Sequence, residues 1–235
     1  MTLPLPDFTH FPYTLVNPPD RPKSMGWDKL KECERRLALY RWAERLNAPP
    51  KGTQHLPRPP HHVFLDDCLS AFLMPLEAAL QFMGQSLEHR GVISRHGLNT
   101  WLRKRRAHDR YMRGLRTLRH FAAHVEIKPA RAGVYVRAEK SVEVRPGWHR
   151  VTESTISHRW LLPQLTRADL AKLDTSELNF KALKAAKTSR APKAPRALKD
   201  LRAWNKLVVI HDAGTILEHG LRQAQAILLA AERLL

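Results

Sequence analysis

The sequence predicts a mainly α-helical protein with one small β-hairpin near residues 134–145. Three observations predict it. Apolar residues recur at helical spacing over several long segments. A strict period of two appears in one short stretch only. Prolines gather between the periodic segments, with Pro75 the main exception. The expected organisation is a proline-rich arm over residues 1–26 and a single helical domain over 27–235. The hairpin and a basic loop form an insertion in that domain at about 130–197.

Residues 1–24 hold Pro4, Pro6, Pro12, Pro18, Pro19 and Pro22, which favours an extended arm lying on the surface through Phe8, Phe11 and Tyr13. A first helix is expected at 27–47, with Leu30, Leu37, Tyr40, Ala43 and Leu46 near helical spacing. Lys29, Lys31, Arg35, Arg36, Arg41 and Arg45 make its other side basic. Pro49-Pro50 ends it, and Pro57, Pro59 and Pro60 extend the linker. A second helix, 63–89, carries Phe64, Cys68, Phe72, Leu76, Leu80 and Met83, and Pro75 is expected to kink it. Residues 94–106 form a short helix anchored by Trp101 and Leu102 and ending in a basic run. A fourth helix covers 108–126 and stops at Lys128-Pro129-Ala130.

Beyond Gly133, Val134, Val136, Ala138, Val142 and Val144 alternate with charged residues, which reads as a hairpin turning near Lys140-Ser141 and closed by Pro146-Gly147. A two-stranded hairpin needs a helical surface to pack on. One or two short helices are expected within 159–173. Residues 181–199 are rich in Lys and Arg with little bulky apolar content, which reads as either a mobile basic loop or a segment ordered by nucleic acid. The last helix, 198–235, has an apolar stripe long enough to require a partner surface within the chain or across a dimer.

Composition narrows the function. Forty Lys and Arg face 22 Asp and Glu, a formal net charge of +18 and a pI near 10.6. A chain this basic suits a polyanion whose counterions it can release, and nucleic acid leads. No long apolar run or lipidation signal points to a membrane, and the N-terminus lacks a secretory pattern, so a cytoplasmic protein is expected. Cys33 and Cys68, far apart in sequence, read as reduced buried thiols. A Walker loop, a dinucleotide fingerprint, a CxxC pair and a GxSxG elbow are all missing, so no cofactor is expected.

The fourth helix carries the most specific signal. Projected at 100° per residue, Tyr111, Leu115, Leu118, Ala122 and Val125 share one side. Arg113, Arg116, His120 and His124 gather within about 80° on the other, with Arg119 at the edge. Within it, Arg119-His120-Phe121-Ala122-Ala123-His124 places a polar residue after an arginine and a histidine five positions on. The string resembles the R-x(4–6)-H motif of the HEPN superfamily, over about residues 63–127 plus the last helix. The resemblance implies a HEPN-like helical bundle and a metal-independent endoribonuclease of the toxin or defence type. Such an enzyme would act on structured RNA such as tRNA, would pair two protomers across a basic cleft, and could be held in check by an antitoxin. It implies that Arg119 holds the scissile phosphate, that His124 serves as general acid or base, and that His120 takes the polar second position.

Residue chemistry agrees with that assignment. Metal-free RNA cleavage needs a group to move the 2′-OH proton and a fixed cation for the phosphorane charge, roles suited to His and Arg. Five residues turn a helix by about 140°, so Arg119 and His124 of one chain do not share a face, and two chains would have to contribute. Arg113, Arg116, Lys184, Lys187, Arg190 and Lys193 are the candidate RNA-binding residues. Simpler roles compete: Arg119 pairing with Asp109 or Glu126, and His124 capping a helix end. His120 and His124 have the i, i+4 spacing of metal ligands, but no HExxH glutamate or third ligand accompanies them, so no metal is expected. The competing function is a non-catalytic basic module that binds RNA or DNA, chiefly through residues 181–199.

Overall fold

A computed structural model of the protein describes residues 15–46, 62–124, 131–166, 169 and 196–235; for some residues inside these elements, only the backbone is described. The protein is mainly α-helical, as the sequence predicts. In chain order the elements are α1 (Gly26–Leu46), α2 (His62–His89), α3 (Arg95–His108), α4 (Arg110–His124), β1 (Arg131–Arg145), β2 (Trp148–Leu161), α5 (Arg196–Ile210) and α6 (Ala213–Glu232).

Helices α2 and α6 lie at the centre. Helix α2 packs on α1, α3, α4 and α6, and α6 packs on α1, α2, α4 and β2. The shared core includes Trp27, Tyr40, Phe72, Leu80, Met83, Leu115, Trp204 and Leu221, all essentially inaccessible. Trp101 and Leu102 of α3 join it, as the sequence predicts. Pro75 stands inside α2, and the Cys33 thiol donates to the Phe72 carbonyl one turn before it. Both cysteines are free and buried, and burial pushes the Cys33 thiol well above its ordinary pKa. The described part of the N-terminal arm is tied down by carboxylates. Leu15 and Val16 donate to Glu34, Lys23 donates to Glu232, and the Trp27 indole donates to the same Glu232. The rest of the arm, with Phe8, Phe11 and Tyr13, lies outside the described residues.

Three expectations are corrected. The hairpin spans 131–161 rather than 134–145. It turns at Pro146-Gly147, where proline fixes φ and Gly147 adopts φ 77°, the pattern of a type II turn. Lys140-Ser141 is instead a site of register shift. The pause in apolar alternation there marks bulges, which break a pattern as a turn would. Second, residues 159–161 end strand β2 rather than starting a helix, and Trp160 is buried as the arm's anchor. Residues 162–166 that follow are non-helical. Third, the last helix is two helices. The break falls at His211-Asp212, where Asp212 caps α6 by accepting from the Thr215 amide and hydroxyl. The apolar stripe of α6, from Ile216 through Leu228, is buried within this chain, so it needs no second protomer to cover it.

Candidate nucleic-acid interface

Helix α4 is the element to which the sequence motif belongs, and three neighbours fix it. Gly114 lies so close to α5 that a Cβ there would sit 1.9 Å from Trp204 Cε3. Trp204 is held in turn by its indole N–H donating to the Pro163 carbonyl at 3.1 Å. Gly220 of α6 gives the same clearance to Leu115. At its start α4 is capped by Asp109, whose Oδ1 accepts the Met112 amide at 2.8 Å. The other oxygen, Oδ2, lies 3.3 Å from His219 Nε2 on α6. Tyr111 stacks on His219 at 3.9 Å between ring centroids, and its hydroxyl lies 3.3 Å from His211 Nε2. Asp109, Tyr111, His211 and His219 thus form a half-buried polar joint where α4, α5 and α6 meet. Sequence reading missed it. Only Asp109 carried a local signal, as a good N-cap between two basic helices.

The candidate residues distribute unevenly. Arg116 is exposed, while Arg113 and Arg119 are half-buried. Arg113 takes part in interactions of its own. Arg119 lines a cavity of about 10 Å³ with Leu73, Leu76, Glu77, Met112, Leu115 and Arg116. That is room for about one water molecule, too little for a phosphate. Its Nε is buried without a hydrogen-bond partner among the described residues. The reason is angular. Met112 is buried together with Leu115, and at 100° per residue Arg119 falls between the two. The buried arc of α4 is wider than the stripe read from the sequence, because α2 covers the edge where Arg119 lies. His120 and His124 belong to α4, but their side chains lie outside the described residues, as do Lys184, Lys187, Arg190, Lys193 and the Glu126 considered as a partner for Arg119.

The basic side of α1 is likewise thinner than its sequence suggests. Arg41 turns inward and pairs with Glu44 at 3.1 Å, Asp212 at 3.4 Å and Glu218 at 3.6 Å. Glu218 also pairs with Arg222 at 2.6 Å, and Asp212 also accepts from Thr215, so Arg41 is shared among carboxylates of which Glu44 is the one raised by burial. For Glu44 burial then outweighs the attraction of Arg41, and its carboxyl is raised to about 7. Arg41 itself is held charged by Glu44 and Asp212 despite its own burial.

Among the described residues no group of three or more His, Cys, Asp or Glu side chains is placed to hold a metal ion. Nor is any described helix long and apolar enough to cross a membrane. Comparison with protein-family models, curated proteins and solved structures finds no match for this chain.

Proposed function

We propose that the protein acts on RNA as a metal-independent endoribonuclease of HEPN type, with α4 as its catalytic helix. The observation that carries the reading is the Arg113, Arg116, Arg119 series leading into His120 and His124 on one helix, in a chain of net charge +18. In this reading Arg119 holds the scissile phosphate through its terminal nitrogens, since its Nε is buried. His124 takes the 2′-OH proton, the 2′ oxygen attacks phosphorus, the P–O5′ bond breaks, and the 5′ oxygen leaves as a hydroxyl with a proton from water. The product is a 2′,3′-cyclic phosphate. His120 positions the substrate. Two protomers would pair their α4 helices, because Arg119 and His124 of one chain point about 140° apart. A structured RNA such as tRNA is the proposed substrate, a toxin or defence role the proposed setting, and a neutralising antitoxin a proposed partner. The proposed compartment is the cytoplasm, where Cys33 and Cys68 would stay reduced.

A second reading has its own support. The seat of Arg119 against Leu73 and Leu76, in a cavity too small for phosphate, favours a basic module that binds RNA or DNA without cutting it. One experiment separates the two. Purified protein is incubated with total RNA, with and without EDTA, beside an Arg119→Ala/His124→Ala double variant. Cleavage that persists in EDTA and vanishes in the variant supports the nuclease. RNA retention without cleavage in either protein supports the binding module.

A further inference from the structure

The β1–β2 ribbon is anchored at one end and bare at the other. At its base Trp160, Leu162 and Leu165 are buried in the core. Asn205 of α5 brackets Leu165, its side-chain oxygen accepting the Leu165 amide and its nitrogen donating to the Leu165 carbonyl. At its far end residues 142–148 are all exposed. Strands of 15 and 14 residues at about 3.3 Å per residue make an arm on the order of 45 Å long. Its tip presents Trp148 at 72% exposure, with Val142 at 58% and Val144 at 59%. A soluble protein seldom leaves an indole this bare without a use for it.

We propose that this tip is an RNA-binding device in which Trp148 stacks on an unpaired base and Arg145 pairs with the adjoining phosphate. The proposal rests on the RNA-directed reading above, but not on the chemistry of α4. Arg145 and Trp148 are directly opposed across the ribbon, so cation and ring lie on the same side of the tip. That combination suits single-stranded nucleic acid, whose bases offer π faces and whose backbone offers charge. The one acidic residue at the tip, Glu143, is engaged in the turn, accepting the Gly147 amide at 2.9 Å. Pro146 and the positive φ of Gly147 make the turn stiff, so the ring is presented rather than tucked away. A paired A-form helix hides its base faces, so unpaired RNA is the substrate form the tip fits.

The test measures fluorescence anisotropy of a short labelled single-stranded RNA, and of the same sequence in duplex, with wild type, Trp148→Ala, Trp148→Phe and Arg145→Ala. Trp148→Ala should weaken single-strand binding by roughly fivefold to a hundredfold. Trp148→Phe should recover most of the loss, and duplex binding should change little. Arg145→Ala should reduce the log–log salt slope by about 0.7. Because Trp148 is exposed, circular dichroism should show every variant folded. Single-strand affinity unchanged in Trp148→Ala overturns the proposal while leaving the RNA reading intact. So does a wild-type dimer that Trp148→Ala converts to monomer with unchanged RNA affinity, which would make the tip a protein-binding surface. A wild type that binds neither RNA overturns both.

Discussion

Asp109 and His219 lie 110 residues apart in sequence and 3.3 Å apart in space. The same carboxylate caps α4 through its other oxygen, so one side chain both starts the helix and fastens it to α6. Asp109→Ala should therefore cost about 1 kcal/mol for the cap and a smaller amount for the half-exposed pair. His219→Ala, which keeps the cap, should cost less. Urea denaturation measures both, and a His219→Ala protein less stable than Asp109→Ala would refute this division of labour.

Gly114→Ala tests the seating of α4. In an exposed helix that change gains about 1 kcal/mol of propensity. Here the new methyl would meet Trp204 at 1.9 Å, and Trp204 is fully buried with its indole N–H engaged. Overpacking of this kind costs typically about 1–3 kcal/mol, so the net effect should be a lower melting temperature. A rise would show that α5 yields freely.

Glu44 gives the fold a pH dependence of known sign. Its carboxyl is raised to about 7, so between the ordinary glutamate value and about 7 the folded state holds a proton that the unfolded state has released. This contribution is complete at acid pH, falls as pH rises through that window, and is lost above about 7. Its full size is on the order of 3 kcal/mol. Glu44→Gln, which mimics the protonated form, should gain stability relative to wild type across the window and hold that gain at pH 8. A wild-type minus Glu44→Gln difference that stays flat from pH 4.5 to pH 8 would contradict the assignment.

For the proposed chemistry, His124→Ala should slow RNA cleavage by a factor on the order of 10²–10⁴. Arg119→Lys should also be damaging, because lysine lacks the bidentate fork. His120→Ala should be milder. Mass spectrometry of the products should find a 2′,3′-cyclic phosphate or its hydrolysed form. A requirement for added divalent metal would rule the mechanism out.

Sedimentation in the absence of RNA tests the paired site, for which a dimer is expected. Separately, replacing Lys184, Lys187, Arg190 and Lys193 with Ala should flatten the salt dependence of RNA binding by roughly 0.7 to 0.9 for each phosphate the protein no longer neutralises. An unchanged slope would mean that these four side chains neutralise no phosphate.

The sequence by itself determined the helical class, the bounds of α1 to α4 to within a few residues, the core anchors of α3, and the net charge. These are local properties: apolar periodicity, proline placement and side-chain charge act over one or two turns of chain. Tertiary structure decided the rest. The split between α5 and α6 was hidden because apolar residues recur throughout 198–235, although the face they occupy changes. Projected as one helix, Leu201, Trp204 and Val208 share one side and Leu217, Leu221 and Leu228 the opposite one, and Asp212 caps the second helix where the change falls. The hairpin turn was misplaced because a bulge and a turn interrupt alternation alike, and the pairing register that tells them apart is a property of two strands. Arg41 and Arg119 counted as surface cations in a one-dimensional projection, yet one meets carboxylates from α6 and its flank and the other is covered by α2. Which side of a helix is buried depends on how many neighbours cover it, and the joint of Asp109, Tyr111, His211 and His219 exists only because α4, α5 and α6 meet there. Residue types and spacing could nominate α4; only packing could say which of its arginines remain free to touch a ligand.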